Sequence, residues 1–169
     1  MTRFKDIQRN ELDEILFRAL RAVYKFQQSK VSSFGLDYEE IYLLQFLRNN
    51  SPARMGEIAG EMNIPISTAT RVVDRLQARA FIARKKDDRD RRNILVALEP
   101  AGESVVQDIE DQTFTQLSVN LTGFSDEDIS SFIKTAVHLQ KILEPGMNTH
   151  AVESTADEGR GNMAPGREP

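Results

Sequence analysis

Thr68, Thr70, Arg71 and Arg75 occupy the outward positions of a short stretch whose inward positions are Ala69, Val72, Val73 and Leu76. Arginine presents two parallel donors that fit the paired acceptors on a guanine edge, and threonine offers a hydroxyl beside a methyl suited to thymine. Ser67 heads the same stretch and Arg54 opens the one before it. Helix starts present free amides to anions, so these two suit backbone phosphates. A charged turn follows, Asp87-Asp88-Arg89-Asp90-Arg91-Arg92. An arginine on such a turn fits a narrow minor groove, where negative potential is enhanced, while an aspartate beside it pairs and holds its geometry. Blander readings stand next to these. An outward polar row is also what a solvated helix surface looks like. Asp87, Asp88 and Asp90 resemble half of a calcium loop, but three arginines among them and no glycine at the turn suit a cation poorly.

Other chemistry finds little support. The chain has no cysteine, which removes a thiolate nucleophile, cysteine-ligated zinc, disulfides and thiol redox switching. His138 and His150 are the only histidines, and neither lies near a nucleophile signature. No enzyme activity, metal or cofactor is expected.

Charge is distributed unevenly. The net charge is −4, yet Arg71 to Arg92 holds nine basic and four acidic residues, a local excess of +5. From Ala101 onward there are twelve acidic and four basic residues, a local excess of −8. Binding to a polyanion depends on the local field, so a basic strip on an acidic body can bind nucleic acid selectively.

The elements that must position these groups are mostly helical. Residues 6–31 repeat Leu12, Ile15, Leu16, Ala19, Leu20, Val23 and Phe26 at threes and fours, predicting a long amphipathic helix broken by Ser32-Ser33-Phe34-Gly35. Asp37 with Glu40 three residues on predicts a capping box for a second helix, ending at Asn49-Asn50-Ser51-Pro52. A short helix over Arg54–Met62, the turn Asn63-Ile64-Pro65, and a helix capped by Ser67 and running to about Arg79 read as a helix-turn-helix. The period then changes. Phe81–Lys86 and Asn93–Leu98 flank the charged turn as a hairpin, making a winged unit. Pro100-Ala101-Gly102 opens a long helix, and Ser125 with Asp128 opens a last one reaching Leu143. Residues 144–169 have no apolar periodicity and are expected to be a disordered tail.

The stretches Ser67–Leu76, Phe81–Arg84, Asp87–Arg92 and Val96–Gly102 together resemble the MarR (multiple antibiotic resistance regulator) family of winged helix-turn-helix transcription regulators, over roughly residues 10–143. The resemblance implies a mainly α fold with a small β-hairpin wing, a triangular dimer built from the first and last helices, and a small-molecule pocket between the dimer and DNA-binding lobes. It implies that Asp90 and Arg92 match the family's paired wing residues, with Arg92 in the minor groove beside Arg89 and Arg91. Two departures stand out: Ala80 where glycine is usual, and Asp88 where proline is common.

The domains are then 1–34 with 101–143 for dimerisation, 35–100 for DNA binding, and the tail. The dimer also has a basis in the residues, since one-sided apolar helices flanking the winged unit need a partner to cover them. Two-fold symmetry predicts a pseudo-palindromic operator. The expected function is a cytoplasmic repressor of this kind, with no membrane segment and no signal-peptide core, released by a small aromatic or anionic effector. Arg18, Arg21, Tyr24, Phe34, Tyr38 and Tyr42 are the pocket candidates, and His138 is read as a surface or dimer-contact residue. The competing reading is a winged-helix protein–protein module whose basic strip meets an acidic partner.

Overall fold

A computed structural model describes residues 7–87, 90 and 93–143. Among them the order is α1 (Arg9–Phe34), α2 (Tyr38–Asn50), β1 (Ala53–Arg54), α3 (Met55–Glu61), α4 (Ile66–Ala78), β2 (Ile82–Lys86), β3 (Ile94–Leu98), α5 (Pro100–Leu121), α6 (Asp126–Val137) and α7 (Leu139–Leu143). The chain divides into one compact unit through Val119 and a second from Asn120.

In the first unit a single core forms under the helix-turn-helix. Leu43, Leu44 and Leu47 of α2, Ile58 of α3, Ala69, Val72, Val73 and Leu76 of α4, Val96 of β3, and Val106 and Ile109 of α5 are all fully buried. The inward stripe read from α4 is therefore the buried one. Each buried Val, Leu or Ile side chain contributes about 1.5–3 kcal/mol, and together they fix the helix's rotation about its axis. That rotation decides which side chains face out.

The hairpin pairs Ile82 with Leu98 and Lys86 with Ile94, antiparallel. A third strand, β1, joins the far side of β3 through Ala53–Val96 and Arg54–Leu95, giving the order β1-β3-β2. Two residues carry no readable alternation, so this strand left no periodic signal in the sequence.

Several helix ends differ from expectation. α1 runs on through Ser32 and Ser33, whose hydroxyls donate back to the carbonyls of Gln28 and Ser29. It stops at Gly35, left-handed at φ 60°, whose amide donates to the Val31 carbonyl. The capping box of α2 is as expected: the Glu40 amide donates to Asp37 Oδ1, and the Asp37 amide donates to Glu40 Oε2. α4 is capped by Pro65 rather than Ser67. The Pro65 carbonyl accepts from the amides of Thr68 and Ala69, while proline, with no amide to donate, holds the residue before it out of the helical region and leaves Ser67 inside the first turn.

α3 and α4 end in the same way, each with a left-handed residue. Asn63 has φ 50° and Ala80 has φ 58°. The next amide, that of Ile64 or Phe81, donates back to the carbonyl of Ala59 or Leu76. Asparagine tolerates this conformation; alanine pays a β-carbon penalty there.

In the second unit Ser125 caps α6 as expected, its hydroxyl oxygen accepting from the Asp128 amide. The expected single helix to Leu143 is instead interrupted at His138, and α7 resumes at Leu139.

Candidate nucleic-acid interface

Pro65 and Asn63 together turn the chain so that α4 presents its polar side outward over the α3–α4 packing. Arg71 is exposed there and makes no hydrogen bond or ion pair among the described residues. Ser67 is exposed in the first turn, and Thr68 is half-buried beside it. Thr70 is half-buried and its hydroxyl donates to the Ile66 carbonyl at 2.8 Å, so its donor is used within the helix while its oxygen remains an acceptor.

Arg75 is committed elsewhere. Its Nε donates to Glu40 Oε1 at 3.0 Å and its Nη2 to Asp37 Oδ2 at 2.6 Å, with Glu39 at 3.7 Å. Hydrogen bonding to Glu40 leads the causes that raise its proton affinity, followed on the raising side by the charges of Asp37, Glu40 and Glu39. The capping box of α2 thus doubles as a socket for Arg75 of α4, so this expected base-contact residue is held in an ion-pair network while Arg71 is not. Arg79 is also used: it donates to the Gly35 carbonyl at 2.9 Å and lies over the Phe81 ring at 4.7 Å.

At the wing root Arg54 reaches Asp87 Oδ2 at 3.4 Å, while its own amide donates to Glu57 Oε2 at 2.7 Å. Asp87 is buried, whereas the Arg54 side chain stays about half exposed, at 51%. Arg54 also lines a cleft of about 430 Å³ with Gly56, Glu57 and Asn93, between the start of α3 and the hairpin. The hairpin is closed by the Asp87 amide donating to the Asn93 carbonyl and the Asn93 amide donating to the Asp90 carbonyl. Asn93 Nδ2 donates to Asp90 Oδ2 at 3.3 Å. Arg89, Arg91 and Arg92 lie outside the described residues, as does the expected tail 144–169.

The six expected pocket residues do not converge within one chain. Arg18 and Phe34 are sixteen residues apart on one helix, about 24 Å at 1.5 Å per residue. Arg18 and Tyr24 are exposed, Arg18 beside Glu14, and Phe34 packs on the core. Tyr38 and Tyr42 do meet, with ring centroids 6.3 Å apart. They line a cavity of about 390 Å³ with Glu39, Glu61, Met62 and Ile64. Tyr42 donates to Glu61 Oε1 at 2.8 Å, and that hydrogen bond leads the causes that raise its pKa above 10.0. Sequence spacing gave no sign of Glu61, which lies nineteen residues from its tyrosine.

A sequence profile described as the MarR family matches residues 36–94. The chain is 34% identical over 124 residues to the "Uncharacterized HTH-type transcriptional regulator YsmB" of Bacillus subtilis, covering 73% of this chain and 85% of that protein. Its fold is similar to that of a MarR family protein from Bacillus stearothermophilus, at TM-score 0.72 and 22% identity, covering 80% of this chain and 95% of that one. It is similar in fold to Streptococcus pneumoniae FabT, solved in complex with DNA, at TM-score 0.68 and 18% identity, covering 81% and 98%.

Proposed function

The chain belongs to the MarR family of transcription regulators, which are not enzymes, and from that premise we propose that it is a homodimeric transcription repressor that binds double-stranded DNA sequence-specifically and is released by a small molecule. α3 and α4 form its DNA-binding helix-turn-helix, and the hairpin is its wing. The observation that carries the reading is Arg71. Of the two arginines within α4, Arg75 is held by three carboxylates while Arg71 is unpaired among the described residues and exposed. In this reading Arg71 pairs with a guanine edge, with Thr68 and Thr70 beside it in the major groove. Ser67 and Arg54 contact phosphate, and Arg92, with Arg89, Asp90 and Arg91, serves the minor groove.

Residues 1–34 and 101–143 are the dimerisation elements. Support comes from Phe17, Leu20 and Tyr24 on α1, each more than 60% exposed, and from Phe132, Ile133 and Val137 on α6, each more than half exposed. Apolar rows of this kind call for a covering surface, and a second copy supplies one by symmetry. Among the described residues no helix is long and apolar enough to cross a membrane, in keeping with the proposed cytoplasmic site of action.

For the effector, the Tyr38–Tyr42 cavity is the candidate. Its two carboxylates, Glu39 and Glu61, oppose an anion and suit a neutral or cationic aromatic molecule, narrowing the chemistry expected from sequence. The test of the reading is Arg71→Ala on selected operator duplexes at matched salt. Preference at one base of each half-site relaxes, whereas Arg54→Ala weakens all duplexes alike. Equal loss on every sequence for Arg71→Ala overturns its base-reading role.

A further inference from the structure

Asp74 is the sole acid in α4, three residues beyond Arg71 and exposed. A bare carboxylate there repels the phosphates that the helix approaches. It is not bare. Arg84 Nη1 donates to Asp74 Oδ1 and, at 3.1 Å, to Gln77 Oε1, while Nη2 reaches the Thr70 carbonyl at 3.4 Å. Arg84 stands at the centre of β2, opposite Val96, with its side chain 25% exposed against 55% for Asp74. One guanidinium rooted in the wing therefore spans residues 70 to 77 of the reading helix, with both Nη1 protons in use.

The lever is what makes this matter. From Arg84 to Asp87, where the hairpin turn begins, is about 10 Å at roughly 3.3 Å per residue, so a 10° swing at the root moves that point by roughly 2 Å. That exceeds the tolerance of a hydrogen bond.

The geometry points to Arg84 as a positioning residue for operator binding: through Asp74 it fixes the wing's angle to α4 and masks the helix's only carboxylate. This rests on the reading of α4 and the wing as the DNA-contacting elements.

The test compares Arg84→Gln, Asp74→Asn and the double variant of the full chain on a selected duplex at matched salt. Arg84→Gln weakens binding about tenfold, and Asp74→Asn by less, about threefold, because it also removes the repelling charge. The double variant resembles Asp74→Asn alone, since both changes break one link. Multiplying losses, with the log–log salt slope smaller by about one, mean that Arg84 contacts phosphate directly, which overturns the proposal.

A second readout needs no DNA. The chain has no native cysteine, so spin labels at Ala78→Cys and Lys86→Cys, diluted into unlabelled chains, report the wing-to-helix distance. The distance distribution broadens in Arg84→Gln and in Asp74→Asn alike. An unchanged distribution overturns the positioning role. If the wild type selects no duplex at all, the DNA reading fails, and the label distances still decide the coupling.

Discussion

Glu40 of α2 serves two elements at once: Oε2 accepts from the Asp37 amide at 2.9 Å, closing the capping box, and Oε1 accepts from Arg75 of α4 at 3.0 Å. The Glu40 side chain is only 7% exposed, so these donors stand where water would otherwise solvate its oxygens. A buried carboxylate that loses its cation keeps the desolvation cost. The other side of the pair is 44% exposed, which discounts the Coulombic part.

Arg75→Ala therefore lowers stability by about 2 kcal/mol in chemical denaturation, while the selected operator sequence stays the same. A changed base preference at one position would return Arg75 to the base-reading group.

Ala80 carries backbone strain, with φ at 58°. The backbone there is left-handed, and removing its β-carbon relieves the strain. Ala80→Gly should stabilise by about 1 kcal/mol, a rise of a few degrees in Tm, after the extra freedom of glycine in the unfolded chain is subtracted. A lower Tm would show that the strain is offset by contacts of the alanine methyl.

Gly102 gives the opposite result. A β-carbon there would overlap the carbonyl oxygen of Phe81, which also accepts from the Glu99 amide at 3.0 Å. The obstacle is backbone, not a flexible side-chain end. Gly102→Ala should cost about 2–3 kcal/mol and show in the unfolding midpoint. A variant as stable as the parent would show that the start of α5 shifts freely against the α4–β2 turn.

Lys30 of α1 is buried, has no ion pair among the described residues, and lies over the Phe26 ring at 4.7 Å. Burial lowers its pKa below the usual 10.5. A lysine with a depressed folded-state pKa binds fewer protons folded than unfolded, so it adds stability as pH climbs from the folded value toward the unfolded one. Lys30→Met should thus be more stable than the parent at neutral pH, with the gap narrowing as pH rises to about 10. Melting curves across that range check it, and a constant gap contradicts it.

Legibility followed the range of the interactions. The inward stripe of α4, the α2 capping box, the Ser125 cap and the hairpin all rest on residues within a few positions of one another, where spacing carries the signal. Arg75 reads as an outward arginine because nothing within a helical turn reveals carboxylates 35 and 38 residues earlier. Arg84 and Glu61 were missed for the same reason. Serine is a good cap, which is why Ser67 reads as one, but Pro65 has no amide to donate and keeps Ile64 out of the helical region, so the helix starts there. The exposed apolar rows of α1 and α6 were visible as periodicity; in the proposed dimer a second copy covers them.

DNA recognition by this chain is tested most directly by selecting bound fragments from random duplex DNA, sequenced after several rounds and repeated at physiological salt. The proposed function predicts an enriched inverted repeat with half-site centres about 10 base pairs apart, whose preference at one base per half-site is lost in Arg71→Ala. No enrichment over the input pool at either low or physiological salt would contradict it.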